Sequence, residues 1–427
     1  MYLKSITLKN FRCFSELEVC FPERLTVIVG NNGAGKTTVL EAATIAAGTL
    51  TSAMDGLTNY GIKKNDAHYK YFEIGSVVDV QPQYPVEIKA CGFVDEQPAD
   101  WARVLTSAKS RGGFASAKKI TQIADEYQKR LQSGDTTLIL PIISYYGTGR
   151  LWSQHKEKKN DIFEKNTRNN GYVDSLDGAA NDKLMMRWFQ KMTIQQFQRL
   201  EQIPAYVAVC NAMEKCFCSI TKCQDAKIQY NLDTNEIDVL YVDKQNKKVR
   251  IPVSQLSDGY KCTISLIADI AYRMAILNPQ LLGKVLVETP GIVLIDEVDL
   301  HLHPAWQQRI LGDLLDIFPK VQFIVSTHAP AVINSVKKES LVVLKEGQGF
   351  GASNETYGKD ANTILREVME VSERPLEVKS LFAKFYNAID EQNYQDAQKK
   401  LDKLEQILGD NDSELVECRV RLELELM

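Results

Sequence analysis

Apolar and polar positions near-alternate at the start of the chain. Leu3, Ile6, Leu8 and Phe11 follow the pattern of a half-buried strand. The run Leu25-Thr26-Val27-Ile28-Val29 is apolar or β-branched throughout, as a strand covered on both faces is. A helix-like segment, Thr38-Val39-Leu40-Glu41-Ala42-Ala43, comes soon after. Residues 50–70 are polar and contain glycine, which predicts a loop or a frayed helix end. Two short strands are expected over Ile74–Val80 and Val86–Val94, with Pro82 and Pro85 between them. Residues 115–132 predict a helix of mixed charge. The apolar run Leu138–Ile143 leads into Ser144-Tyr145-Tyr146-Gly147-Thr148-Gly149-Arg150, and 151–182 read as a polar surface loop. Helical patterns then occupy 183–220.

From Ala226 to Val253 alternation returns, with turn residues at Asp233-Thr234-Asn235 and Lys244-Gln245-Asn246. This predicts a small antiparallel meander. A helix is expected over 258–277, followed by a second α/β unit. Beyond about 355 the chain is charged and helical, with apolar positions at Leu381, Phe385, Ile389, Ala397, Leu401, Leu404 and Leu408. Gly409-Asp410-Asn411-Asp412 ends one helix and Ser413 can cap the next. Two or three packed helices are expected there. There is no sustained heptad pattern and no internal repeat.

Length and charge narrow this picture. A chain of 427 residues is too long for one small core, so two lobes or domains are expected. A net charge of −4 excludes strong global attraction to nucleic acid but leaves room for a local basic groove. There is no run of apolar residues long enough for a membrane span and no secretory leader, so a cytoplasmic location without a membrane is expected. Nine cysteines, an odd number, suit reduced thiols better than a disulfide framework. Cys210, Cys216, Cys218 and Cys223 cluster, but their spacing does not match paired zinc knuckles. Met213, Phe217 and Ile220 among them point to a buried helix face instead.

The chemistry lies in a few short segments. Gly30-Asn31-Asn32-Gly33-Ala34-Gly35-Lys36-Thr37 fits G-x-x-x-x-G-K-[ST] and stands between strand and helix patterns, the context this phosphate-binding loop needs. Its glycines let backbone N–H groups converge, and the helix N-terminus adds its dipole. Asn31, Asn32, Gly33, Ala34, Gly35, Lys36, Thr37 and Thr38 are expected to bind ATP. Pro290–Ile295 is an apolar strand ending in Asp296-Glu297. Active groups gather at the carboxyl ends of parallel strands. The Thr37 hydroxyl and, opposite it, the Asp296 carboxylate are expected to hold Mg²⁺. Glu297 is expected to orient or deprotonate the attacking water. Leu256-Ser257-Asp258-Gly259-Tyr260 precedes a helix, and Ser257, Asp258 and Gly259 form an anion-site candidate there, although Ser-Asp-Gly is also ordinary cap chemistry. Asp299 follows the acidic pair, and His328 ends the strand pattern Phe323–Val325, where it can hydrogen-bond a phosphate. His301 and His303 form an H-x-H pair without a visible third ligand.

The order phosphate loop, long insert, L-S-D-G-Y, Asp-Glu and strand-end histidine resembles the head of the ABC-type ATPases of the SMC, RecF and RecN group. Leu8-Lys9-Asn10-Phe11-Arg12-Cys13-Phe14 looks like their N-terminal strand, which adds Arg12 to the nucleotide-binding set. The resemblance implies an α/β fold: a P-loop NTPase head with a mixed β-sheet flanked by helices, a helical insert and a C-terminal helical tail. Asp299 matches the D-loop, His328 the switch histidine, and Leu256–Tyr260 the signature, with Asp258 and Tyr260 as departures. The Q-loop glutamine is missing; Gln81, Gln83 and Gln154 are weak candidates. In that family the nucleotide lies between two heads, so head-to-head dimers building a homo-oligomer are implied, with Ser257 and Gly259 acting on the partner's ATP.

A closer resemblance covers nearly the whole chain. Ile143–Trp152, Leu300–Gln307, Gly358–Leu365 and Val371-Ser372-Glu373-Arg374-Pro375 look like a bacterial family of compact ATP-binding proteins that includes PtuA, the ATPase subunit of the Septu anti-phage system. That subunit works with an HNH nuclease, PtuB, and some relatives work alongside a retron. The implied parts are residues 1–100 and 226–350 as the two halves of the head, 101–225 as a helical and loop insert, and 351–427 as a partner-docking tail. The implied function is an ATPase that holds and regulates a separate nuclease and has no nuclease activity of its own. The alternative is a RecF-like repair or recombination ATPase that binds DNA. Lys109, Arg111, Lys118, Lys119, Arg150, Lys156, Lys158 and Lys159 would then line a phosphate groove. Acidic residues among these cations favour a plain solvated face.

Overall fold

In chain order the strands of the first half are β1 (Tyr2–Phe11), β2 (Phe14–Cys20), β3 (Leu25–Gly30), β4 (Tyr69–Ile74), β5 (Val77–Pro82), β6 (Val86–Val94), β7 (Gln97–Leu105) and β8 (Ile142–Tyr146). The second half adds β9 (Ala226–Asn231), β10 (Glu236–Val242), β11 (Lys248–Pro252), β12 (Gly291–Ile295), β13 (Val321–Ser326), β14 (Leu341–Lys345) and β15 (Gln348–Gly351). This computed structural model describes residues 1–110, 112–150, 167–178, 182–243 and 245–426. They fall into two compact units, Met1–Lys359 and Asp360–Met427.

The continuously apolar runs became the central sheet of the first unit, in the order β15-β14-β3-β13-β12-β8. Strands β14, β3, β13, β12 and β8 run parallel, and β15 closes the edge antiparallel to β14. Every residue of β3, β12 and β13 is buried. Helix Lys36–Ala47 packs on this sheet against β12 and β13. Ile295 pairs with Val325, and Ser326 with Ile28. The carboxyl ends of β12, β13 and β3 therefore meet at one rim. Each fully buried Val, Ile or Leu here adds about 1.5–3 kcal/mol of hydrophobic stabilisation, so the rim stands on a firm base.

The near-alternating N-terminal strand behaves as its pattern implies. Leu3, Ile6, Leu8 and Phe11 are all buried, in a sheet of order β2-β1-β6-β7. Two expectations need correction. The strand expected over Ile74–Val80 is the tip of a hairpin, β4 with β5, which turns at Gly75 with φ 62°. Strand β7 was not expected at all. It follows β6 through Asp95 (φ 52°) and Glu96 (φ 61°), a two-residue connection of left-handed residues. Asp-Glu lacks the glycine that normally announces such a turn.

Residues 101–225, expected as an insert, carry the end of β7 and all of β8. The latter is a full member of the central sheet beside β12. The meander β11-β10-β9 and the helices Asp182–Arg199, Pro204–Thr221 and Asp258–Leu277 lie where the patterns put them. Cys210 and Cys216 are buried on helix Pro204–Thr221, among Met213 and Phe217.

The second unit opens with the short helix Ala361–Glu367 and continues with three longer ones, Leu376–Asp390, Tyr394–Leu408 and Ser413–Leu426. The longer helices bury Phe382, Phe385, Ile389, Leu401, Leu404 and Leu422 against one another, and Leu381 and Leu408 pack at the edge of that core. Among the described residues no helix is long and apolar enough to cross a membrane.

Candidate active site

The loop Gly30–Thr37 leaves β3 at the rim of the central sheet and enters helix Lys36–Ala47. Gly33 (φ 83°) and Gly35 (φ 93°) take left-handed conformations that side chains resist. A Cβ on Gly35 would also stand 2.4 Å from the Phe14 ring, so β2 sets the floor of the loop. Lys36 is buried, and its Nζ donates to the carbonyls of Gly30 (2.9 Å) and Asn31 (3.1 Å). Burial holds its ammonium below the ordinary lysine range, and the carboxylates of Asp296, Glu297 and Asp299 oppose that shift.

The acidic turn after β12 meets this loop directly. Thr37 Oγ1 donates to Asp296 Oδ2 at 2.8 Å. Ser326, at the end of β13, donates to Asp296 Oδ1 at 2.5 Å and accepts from the Glu297 amide at 2.8 Å. Thr327 Oγ1 donates to Asp299 Oδ1 at 2.5 Å. Glu297 itself has φ 48°, left-handed and uncommon for a residue with a Cβ. His328 is half-buried beyond Thr327. Burial and then the Lys36 charge lower its affinity for a proton, against the pull of Glu297, Asp299 and Asp296. These surroundings favour the neutral imidazole.

Four residues that the sequence reading placed elsewhere or left unassigned belong to this cluster. Ser326 and Thr327 were passed over as the end of a strand; polar residues closing an apolar parallel strand were the available signal. Phe14 had no chemical signal at all. Arg150 reads from sequence as a solvated cation or, in the RecF-like alternative, a groove residue, and both are corrected: it is buried, and its guanidinium donates to the carbonyls of Asp296 (2.7 Å), Glu297 (2.8 Å) and Gly147 (3.1 Å). Of the other groove cations, Arg111, Lys156, Lys158 and Lys159 lie outside the described residues, as do Gln154 and Lys244. Lys109, Lys118 and Lys119 are exposed.

The remaining expected residues are spread more widely. Arg12 pairs with Asp66 (2.8 Å) and with Glu41 of the loop helix. The Cys13 thiol lies 3.8 Å from Thr38 Oγ1. Ser257 and Asp258 are exposed at the start of helix Asp258–Leu277, where the Ser257 side chain makes no capping hydrogen bond. Gly259 is buried, and a Cβ there would stand 2.6 Å from the His301 carbonyl. Tyr260 packs on Trp306 at 4.5 Å between ring centres. His303 caps the short helix Pro304–Gln307. Gln81 bonds Asp79 and Gln83 bonds the Gln81 carbonyl, both on the exposed hairpin.

A family model described as an AAA domain matches residues 5–248, more than half of the chain. The chain belongs to the AAA domain family. A second AAA domain model matches residues 224–334, so the loop and the acidic turn of this AAA-domain chain are covered by one model each. Its fold is a P-loop ATPase head, a mixed sheet flanked by helices, with C-terminal helices. Over 91% of its length it is similar, at 27% identity, to the retron Vc95 probable ATPase of Vibrio cholerae, of which it covers 83%. It is similar at 32% identity to the Septu protein PtuA of Bacillus thuringiensis over 32% of this chain and 37% of that protein. The SMC head domain from Thermotoga maritima is similar at 17% identity and a TM-score of 0.44, over 82% of this chain and 97% of that one.

Proposed function

We propose that this AAA-domain chain binds and hydrolyses ATP as the motor subunit of a cytoplasmic anti-phage defence complex, and that its nucleotide state governs a separate HNH nuclease of the PtuB kind. The observation that carries the ATPase step is the contact of Thr37 with Asp296, itself held by Ser326 beside Glu297. A hydroxyl and a carboxylate 2.8 Å apart are hard oxygen donors of the sort Mg²⁺ takes, with phosphate oxygens and water completing its shell. Thr37 and Asp296 would hold Mg²⁺, which would supply positive charge to offset that of the phosphates. Asn31–Gly35 cradle the phosphates through backbone N–H groups, Lys36 adds a point charge, and Thr38 and Arg12 flank the nucleotide. Glu297 accepts the proton of the attacking water, and neutral His328 donates a hydrogen bond to the transferred phosphate.

Ser257, Asp258 and Gly259 act in trans, on nucleotide held by a second copy, with Asp299 at the interface. An exposed Ser257 hydroxyl that caps nothing in its own chain supports this. Residues 351–427 dock the nuclease, in support of which helix Ser413–Leu426 leaves Val416, Val420 and Leu424 exposed along one side. Similarity to a retron ATPase over most of the chain and to PtuA over part of it supports the defence role.

The test is co-purification of the tagged protein expressed with its native flanking genes. An HNH-type nuclease recovered in fixed ratio upholds the reading. A protein recovered alone, with DNA retained, would favour the RecF-like alternative instead.

A further inference from the structure

We infer that Arg150 is a positioning residue for hydrolysis: it holds the Glu297 turn in its working shape and ties that turn to the helix that begins with Ser257-Asp258-Gly259. This rests on the ATPase reading above.

A buried guanidinium needs partners for its donors, because an unpaired buried charge is costly. Among the described residues, those partners converge on one structural junction. Nη1 donates to the Asp296 and Gly147 carbonyls, Nη2 to the Glu297 carbonyl, and Nε to Cys262 Sγ at 3.4 Å. Gly147 follows β8, the neighbour of β12. Cys262 lies one turn into the helix Asp258–Leu277. One planar side chain therefore joins the ends of two strands and the start of the signature helix.

The join falls where strain is stored. Glu297 sits at φ 48°, a conformation that costs of order 1–3 kcal/mol for a non-glycine residue and persists only when its surroundings enforce it. Its amide N–H is fixed by Ser326 Oγ, and its carbonyl by Arg150 Nη2. With both flanking peptide units held, the direction in which the Glu297 side chain leaves the backbone is fixed. Among the described residues no Arg150 hydrogen bond involves the phosphate loop, so loss of the clamp should disturb hydrolysis more than nucleotide binding. The thiol contact gives the signature helix a mechanical link to the same turn: movement of that helix on a partner's nucleotide would be felt at Glu297.

The experiment compares wild type, Arg150→Lys and Cys262→Ala for steady-state phosphate release, affinity for a fluorescent ATP analogue, and Tm. Lysine keeps the charge but cannot span two carbonyls and a thiol with a rigid fork. For Arg150→Lys we expect kcat to fall roughly 100-fold, as misplacing a catalytic group does, with affinity unchanged. For Cys262→Ala we expect a fall of about fivefold in kcat, the worth of one hydrogen bond. Arg150→Lys with wild-type kcat overturns the inference, as does a parallel loss of affinity and kcat. Should Arg150→Lys not fold, a wild-type kcat in Cys262→Ala overturns the tie to the helix, and the expected decrease upholds it. A wild type that neither binds nor hydrolyses ATP overturns the ATPase reading itself.

Discussion

The loop and acidic turn at the sheet rim differ from the turn Leu256–Tyr260 in how their side chains are engaged. At the rim, Lys36, Thr37, Asp296, Ser326 and Thr327 are all bonded to one another or to nearby backbone within the same chain. At the signature turn, Ser257 and Asp258 are exposed, with Asp258 beside Lys261, while Gly259 lies under the His301 carbonyl and Tyr260 packs on Trp306. The rim residues are engaged within their own chain, whereas Ser257 and Asp258 are open to solvent, as the proposed action in trans requires. Polar groups bonded in advance cost little reorganisation during reaction. Polar groups left at a surface are the way one copy of a protein acts on another.

The sharpest way to break this contrast is at Glu297. Glu297→Gln keeps shape and removes the base, so turnover should fall at least about 100-fold with ATP affinity retained. Size-exclusion chromatography with ATP should then show an accumulated dimer; normal turnover would remove Glu297 from its role. Lys36→Ala takes away the point charge and should weaken ATP binding roughly 100-fold, the worth of a charged hydrogen bond. An unchanged affinity, measured by titration, would show that the rim does not hold phosphate.

The signature turn gives smaller effects of a different kind. Gly259→Ala forces a methyl against a carbonyl and should cost about 1–3 kcal/mol in thermal denaturation. Ser257→Ala removes no bond within the chain, so stability should stay within about 0.5 kcal/mol. Its ATPase rate should nevertheless fall, and mixing it with Lys36→Ala should restore activity in part of the sites. If Ser257→Ala unfolds the protein, the outward assignment of that turn is wrong.

The smallest expected effect concerns pH. The folded chain lowers the proton affinity of His328, so the unfolded chain binds more protons across the window below its ordinary pKa of 6.5. Stability from this group is present above that value and is lost as pH falls through it. His328→Gln should lose less stability than wild type between about pH 7 and 5. Identical pH profiles would contradict the burial of the imidazole, with the Lys36 charge adding to it.

Much of the rim was legible from residue order, since phosphate-loop spacing and an apolar strand ending in acids are local patterns. The helix starting at Asp258 and the tail helices were legible from period alone. Pairings between distant elements were not. Arg150 reads as one more surface cation because nothing nearby in sequence says that β8 lies beside β12. The β4–β5 hairpin misled in the opposite direction. Tyr71, Ile74 and Val77 have strand-forming side chains, yet they are 70%, 64% and 65% exposed, because apolar character sets a preference for burial and topology decides whether cover exists.

That hairpin is also separable. Its two ends are already joined at the base, where the Gln83 amide donates to the His68 carbonyl at 2.7 Å. Residues 69–82 pair with one another and are exposed or half-buried throughout, as suits a cassette. A lineage could lengthen, shorten or exchange them without redrawing the ATPase beneath.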